Sequence, residues 1–495
     1  MSGEITLPDT IEVITESAAQ FVPELILTSG ILVLICVGLL RRGKSLFSIL
    51  SAIVFTASLT TILIHWPTDE VPRLLFFDML KADSFSSYLK IIFDVSGLLT
   101  VWMSWSNHKL SQRHSEYFAI LMAVVLGAHL LVMSVNFAMV FISLELISIG
   151  SYVLVGFAFS KKASEGSLKY FLFGSVSSAI MLYGMTMIYG LTGMMNFSTI
   201  DFAMQLINTR SSLLFIAALM TLGGFFFKVA ATPFHPWAPD VYEAAPMPVV
   251  AFFSVVPKLA GIGILTRFIL VLGVSGHSSY DWQTLISIVA MLSLTVGNFS
   301  ALWQKNPKRL MAYSSIAQTG FLLTALSSFM DQGVQFMLFY ASVYALVNFL
   351  VFIYLQYFES QGIHSLESFS GVGKTTLIPS VFILIGLIAL TGLPPTAGFT
   401  SKLFVFSSLW ESYQASGKSI LLWLMVFGLL NTVISLFYYL RIPYFAFIKH
   451  GTFQVKTDFL RFENLLGLLL VLAILILFFN PGLLMGWINK INFVL

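Results

Sequence analysis

Four charged residues lie where an apolar chain should carry none. Glu145, in Phe141-Ile142-Ser143-Leu144-Glu145-Leu146-Ile147-Ser148, is the only acid of its apolar run. It sits about ten residues in, or ~15 Å along a helix, near the middle of a bilayer. An ionised carboxylate there costs at least a few kcal/mol, so it must pair with a cation or take up a proton. Lys228, Lys258 and Lys402 are too deep in their own apolar runs for their stems to reach water. Desolvation favours the neutral amine and a nearby carboxylate favours the ammonium, so a small rearrangement loads or unloads a proton. One acid against three lysines leaves charge that static pairing within this set does not neutralise, and the pattern is that of a proton relay. The bland reading of Glu145, an ion pair that joins helices, stands beside it.

Other titratable groups are less decisive. Lys169 lies a few residues into an apolar run, where a stem reaching the surface explains it as well as a proton-carrying role. His235 follows an interrupted helix, and either bonding a backbone carbonyl or carrying a proton fits. Glu243 lies in the loop beyond it. Asp94 and Glu24 read as structural, and Arg267 stays near the end of its run. Cys36 is alone in the chain, so neither a disulfide nor a thiolate cluster is available, and it reads as a small buried apolar residue.

The elements that must position these groups are helices in lipid. Hydrophobic residues make up 57% of the chain and charged ones 10%, with mean hydropathy +0.89, against about 25% charged in soluble domains. Backbone groups in hydrocarbon must be satisfied internally, by helices or a closed barrel. Unbroken runs such as Phe21 to Leu40 and Leu465 to Phe479 rule out the alternation of a barrel. The fold expected is an all-α polytopic membrane protein with about fourteen spans, near 22–40, 46–65, 83–105, 116–134, 136–159, 166–191, 211–230, 246–272, 283–302, 309–328, 332–358, 378–400, 419–443 and 464–482. Placing Arg41, Arg42 and Lys44 on the cytoplasmic side gathers fifteen basic residues there, Lys109, Lys161, Lys162, Lys305, Lys308, Arg309, Lys456 and Arg461 among them. Five fall opposite: Arg73, Lys81, Arg210, Lys418 and Lys490. That asymmetry fits the positive-inside rule in a bacterial inner membrane, with both termini periplasmic. The first twenty residues hold Glu4, Asp9, Glu12 and Glu16 without a basic residue, unlike a secretory signal, and read as an exposed N-terminal segment.

Two spans are interrupted. Pro233, in Phe227-Lys228-Val229-Ala230-Ala231-Thr232-Pro233-Phe234-His235-Pro236, displaces the carbonyl of Val229. Pro394 and Pro395, in Leu390-Thr391-Gly392-Leu393-Pro394-Pro395, free those of Leu390 and Thr391. Such carbonyls are tolerated at membrane depth only against protein or water. The breaks are five spans apart, as two inverted five-helix repeats with two discontinuous helices would have them. The boundaries expected are 1–115 for the first three spans, 116–274 and 275–445 for the repeats, and 446–495 for the last span.

These stretches resemble a known family. Leu144-Glu145-Leu146-Ile147-Ser148, Lys169-Tyr170-Phe171-Leu172-Phe173-Gly174, Phe227-Lys228 through Trp237-Ala238-Pro239-Asp240-Val241-Tyr242-Glu243, and Lys308-Arg309-Leu310-Met311-Ala312-Tyr313-Ser314-Ser315-Ile316 are similar to the motifs of the antiporter-like membrane subunits of respiratory complex I, over about residues 115 to 445. Tyr189-Gly190-Leu191-Thr192-Gly193 and the Lys-Tyr-Phe-Leu run point to its subunit-N branch more than to L or M. The resemblance implies a proton-translocating subunit of an NADH:quinone oxidoreductase. It maps the family's central acid to Glu145, its channel lysines to Lys228 and Lys258, its terminal lysine to Lys402, and accessory positions to Lys169 and His235. It further implies no cofactor in this chain, with NADH, flavin, iron–sulfur clusters and quinone belonging to the assembled complex. The implied partners are the other membrane subunits, the lipid bilayer and protons. Gln318 departs from the pattern, standing where many members carry a histidine, and an amide cannot take a proton near neutral pH.

A freestanding cation/proton antiporter is the alternative, and a structural subunit held together by its charges a third, since fold alone does not decide function. Ser368-Phe369-Ser370-Gly371-Val372-Gly373-Lys374-Thr375-Thr376 looks like a phosphate-binding loop but has serine where the first glycine belongs and follows a membrane helix instead of a strand. No basic cluster interleaved with aromatics suggests nucleic acid. Redox chemistry finds no motif here.

Overall fold

The computed structural model describes residues 7–40, 43–67, 72–106, 113–209, 212–274, 280–451 and 462–491. Glu4, Arg41, Arg42, Lys109, Arg210, Lys456 and Arg461, used above to read the N-terminus and the sides of the loops, lie outside the described residues. The chain opens with α1 (Leu7–Gln20), α2 (Val22–Leu40) and α3 (Lys44–Ile64), then a hairpin of β1 (Arg73–Leu75) and β2 (Leu80–Ala82), paired antiparallel with Leu74 opposite Lys81. The α4 helix (Ser84–Ser106) completes this N-terminal bundle. Five passes follow: α5 (His114–Met133), α6 (Phe137–Gly156), α7 (Lys161–Thr192), the broken pair α9 (Ser212–Lys228) and α10 (Trp237–Ala244), and α11 (Met247–Val274), with the short α8 (Ile200–Asn208) lying between α7 and α9. The second five are α12 (Trp282–Leu302), α13 (Pro307–Leu326), α14 (Asp331–Ser360), the broken pair α16 (Leu377–Thr391) and α17 (Ala397–Ser416), and α18 (Ser419–Tyr439), with the single turn α15 (Val372–Thr375) before α16. A turn at α19 (Arg441–Pro443), α20 (Phe462–Phe479) and α21 (Gly482–Ile488) end the described chain.

Nine of the described helices are long and apolar enough to cross a membrane alone, ten with the pair α20–α21, which bends by 81°. Fourteen passes are reached with α4 and α13, whose charged residues dilute their hydropathy, and with the two broken pairs. In each broken pair at least one half, α10 with 8 residues and α16 with 15, is too short to span by itself. The expected spans agree with these helices within a few residues, except that the two placed at 211–230 and 378–400 continue beyond their breaks, to Ala244 and Ser416.

Local sequence sets the helix ends. Asn136, Ser160, Asp281 and Asn306 cap α6, α7, α12 and α13 with side-chain oxygens that accept first-turn backbone N–H groups. Pro307 follows the last of these caps, where its missing donor costs nothing. The α11 helix is buried along its whole length and α14 nearly so, so these two form the centre. In contrast α2, α7 and α18 turn most of their apolar surface outward. Cys36 is exposed on that outward face of α2, contrary to the buried placement expected from sequence. An apolar side chain facing lipid gains nothing from burial, so hydropathy did not distinguish the two positions. The N-terminal segment is an ordered helix resting on the hairpin, where the Phe76 amide donates to Ser17 Oγ at 2.9 Å.

Candidate proton-conducting axis

At the first break, α9 ends on Lys228 and the backbone turns through Ala230 at φ 55°. The displaced carbonyl of Val229 accepts a hydrogen bond from Thr319 Oγ1 at 2.9 Å, and that of Phe227 accepts from Trp237 Nε1 at 3.1 Å. Trp237 also stacks on Tyr170, with ring centroids 4.3 Å apart, so the packing brings the two motifs that contain them into contact. At the second break, Leu390 O accepts from Gln318 Nε2 at 3.1 Å and Thr391 O from Lys402 Nζ at 2.6 Å. All three carbonyls that proline chemistry frees are therefore bound by side chains from elsewhere in the fold. Lys228 is the last residue of half-helix α9, and Lys402, six residues into α17, carries its Nζ back to the last carbonyl of half-helix α16; at both C-terminal ends the dipole is negative and complements a cation.

Between the breaks the charged groups form a line. Glu145, half-buried, accepts from Ser178 Oγ of α7 at 2.5 Å. Lys228 Nζ donates to Ser148 Oγ at 3.1 Å, one turn along α6 from Glu145. Among the described residues no ion pair joins Glu145 to Lys228. The stem of Lys228 packs at Gly261, where an added Cβ would stand 3.3 Å from its Cγ, and Lys258 is one turn before Gly261 on α11. Lys258 Nζ then donates across to the second repeat, to Ser315 O at 2.7 Å and Ser315 Oγ at 2.8 Å. Tyr242 of α10 shares the Ser315 hydroxyl at 3.2 Å. One turn further along α13, Gln318 is held by Tyr340, Tyr439 and Leu390 O, and Ser314 Oγ meets Tyr439 Oη at 2.5 Å. Lys402 closes the line with its Nζ 4.3 Å above the ring of Phe321. All three lysines are at most 4% exposed.

Gln318 is thus a fixed amide inside a cluster of hydroxyls and a carbonyl. It cannot change protonation, but Tyr439, Tyr340 and Ser314 around it supply hydrogen-bonding groups that rotate. Sequence reading gave this position as a gap and did not foresee the tyrosines, which come from α14 and α18.

Lys169 stands apart from the line. It is 44% exposed and bonds Glu165 at 2.9 Å and Asp240 at 3.3 Å, the surface-facing placement of the two considered. Arg309 joins Asp240 at 2.8 Å and Glu243 at 2.9 Å, and Lys162 reaches Glu243 at 2.6 Å. This cluster edges a cavity of about 520 Å³ lined by Lys162, Glu243, Asn306, Lys308, Glu359 and His364. The cavity opens where α11 begins, ~16 Å of helix before Lys258. His235 is partly buried beside the first break, and its Nδ1 has no hydrogen-bond partner. At the opposite end of the molecule Asp281 pairs with Lys418 at 2.8 Å. Partial burial pushes the Asp281 carboxyl up, but Lys418 and the two Thr284 donors outweigh it and hold the group below the usual carboxylate range. In the segment from Ser368 to Thr376 the amides of Gly371, Lys374 and Thr376 donate within the fold, to Phe445 O at 3.2 Å, Gly371 O at 3.3 Å and Val372 O at 2.9 Å.

Two five-helix repeats, each broken beside a buried lysine and joined by a third, have the architecture of an ion-translocating membrane protein. This chain belongs to the NADH:quinone oxidoreductase/Mrp antiporter transmembrane family, whose model matches residues 134–435. It is similar to NADH-quinone oxidoreductase subunit N 2 of Chloroherpeton thalassium, with 36% identity over 97% of this chain and 95% of that protein. Among solved structures it resembles a chain of respiratory complex I from Thermus thermophilus with bound aureothin, at TM-score 0.80 and 26% identity over 95% of this chain and all of that one. A chain of the Mrp complex from Dietzia shares the fold at TM-score 0.83 and 18% identity, over 95% of this chain and 96% of that one.

Proposed function

We propose that the chain is the subunit-N component of a proton-translocating NADH:quinone oxidoreductase, passing protons along Glu145, Lys228, Lys258 and Lys402 as electron transfer in other subunits drives the cycle. The observation that carries this reading is the bond from Lys258 to Ser315, which crosses from the first repeat to the second and makes one line of two half-paths. Protons enter at the charged cavity beside Glu243 and Lys308 and leave beyond Lys402. His235 and Lys169 act as accessory groups, the first beside Lys228 and the second through the ion pairs at the mouth. The repeats run over 116–274 and 275–445, flanked by 1–115 and 446–495.

NADH, flavin, iron–sulfur clusters and quinone are handled by the sibling subunits, and no cofactor binds here. The protein sits in the cell inner membrane with both termini periplasmic. Sibling membrane subunits and lipid cover the outward faces of α6 and α7, where Ile142, Ile149, Phe171 and Val176 are exposed and Glu145 is half-buried.

The alternative is a freestanding cation/proton antiporter, as the shared fold with an Mrp chain allows. Two preparations separate them. Membranes lacking this chain should lose NADH-driven proton pumping, and vesicles holding the chain alone should show no proton movement when sodium or potassium is added. Cation-driven exchange by the isolated chain, with pumping intact in its absence, would establish the antiporter.

A further inference from the structure

A second group of buried charges lies away from this line, in the N-terminal bundle. Glu24 of α2, Lys90 and Asp94 of α4, and His129 of α5 meet with side chains at most 6% exposed. Lys90 Nζ is 2.6 Å from Glu24 Oε1, and Ser58 of α3 donates to Asp94 Oδ2 at 2.7 Å. The His129 ring lies between the two acids, with Nδ1 3.2 Å from Glu24 Oε1 and Nε2 3.3 Å from Asp94 Oδ1. The second approach is close but poorly aligned, so Asp94 Oδ1 and His129 Nε2 have no hydrogen bond, nor does Glu24 Oε2.

Donor counting shows what the cluster must hold. A neutral imidazole carries one N–H and can serve one carboxylate, leaving its lone pair facing the other at 3.3 Å. One more proton is therefore needed, on the ring or on an acid, and the three unpartnered atoms are the places that can take it. A static staple would need only Lys90 with Glu24, and an apolar substitute would serve stability as well. The neighbouring elements bring few other charges. Arg267 of α11 reaches α5 at Val132 O, 2.7 Å, but is matched by Asp83 at 2.8 Å with Lys81 nearby. The α6 helix meets α5 with Leu146 and Ile147, and α11 seats Gly263 against Leu89 and Val132. Apolar side chains therefore make these contacts of α5 with α6 and of α11 with α4 and α5.

We propose that Glu24, Asp94 and His129 form a second proton-exchanging site, holding one proton shared among the two carboxyls and the ring, independent of the line through Lys258. His129 lies four residues before the end of α5, an end that the β1–β2 hairpin covers with Leu75 and Leu80 on Met133, so the nearer side, on which α2 begins, is the one with which the proton exchanges.

The test is pH-difference infrared spectroscopy of the assembled complex between pH ~5 and ~8, the range in which histidine changes charge. Glu24→Gln and Asp94→Asn keep shape and an acceptor, and are compared with the unsubstituted complex. The proposal expects a pH-dependent carboxylic-acid band that at least one variant removes, and identical difference spectra in all three would overturn it. For the unsubstituted complex, labelling with a hydrophobic carbodiimide, which reacts with protonated carboxyls, gives a second reading. Modification of Glu24 or Asp94 should rise severalfold as pH falls, and none at any pH would contradict the site. Neither readout depends on pumping, so failure of the relay leaves this result unaffected.

Discussion

Lys258→Met is expected to assemble normally and to lose NADH:quinone turnover and proton pumping by about 10²-fold, the scale on which a positioned proton-transfer group contributes. The reason lies in what the substitution leaves behind. Lys258 donates to both oxygens of Ser315, yet each keeps another partner without it: Ser315 O accepts the helical backbone N–H of Thr319 four residues on in α13, and Tyr242 meets Ser315 Oγ at 3.2 Å. Methionine fills the space of the stem, so no buried polar group is orphaned and stability is largely kept. The only thing removed is the titratable group at the junction of the repeats. Native gels check assembly, and quinone reduction with pumping in membrane vesicles checks the rest. Full activity in an assembled Lys258→Met complex would mean that protons do not pass between the repeats at this point.

Gly392→Ala should depress activity by about tenfold while removing no charged group. Gly392 has φ 86°, a region that costs other L-residues ~1–2 kcal/mol, and an added Cβ would stand 2.7 Å from Lys402 Cδ. The lysine stem must move, and Nζ then loses Thr391 O and its place over Phe321. Gly193→Ala is the matched control: φ is 70°, but nothing lies within 4 Å of the added carbon. If both variants lose activity equally, backbone strain is the cause and the placement of Lys402 is not; loss in Gly392→Ala alone ties the effect to the lysine.

Much of the proposed relay was legible in the sequence because membrane chemistry makes such signals rare. A lysine or glutamate in an apolar run is conspicuous, and proline arithmetic names the carbonyls it frees, so Val229, Leu390 and Thr391 could be picked out before their partners were known. The partners themselves were not legible. Thr319, Gln318 and the tyrosines 340 and 439 belong to ordinary helical patterns, and only the packing of α13, α14 and α18 brings them to the breaks. His129 went unnoticed for the same reason: 105 residues separate it from Glu24, and a single histidine in an apolar helix says nothing about two acids facing it. The α8 helix and the hairpin of β1 and β2 were missed because segments of nine and three residues carry too little periodicity to stand out from loops. Lys169 was ambiguous by depth, and its place was decided by Glu165 and Asp240, the second of which lies on α10 beyond the break.

The central claim is that the buried lysines change protonation instead of serving as fixed charges, and Lys228 tests it most directly. Its ammonium touches Ser148, one turn from Glu145, and a fixed positive charge at that place would satisfy any purely structural role. Arginine preserves the charge but does not release its proton. The measurement is NADH-driven proton pumping and quinone reduction by assembled complexes carrying Lys228→Arg beside Lys228→Ala. The account predicts that both variants assemble and that both lose turnover and pumping together. If Lys228→Arg pumps as the unsubstituted complex does while Lys228→Ala fails, the charge alone is needed, and the relay through this lysine is wrong.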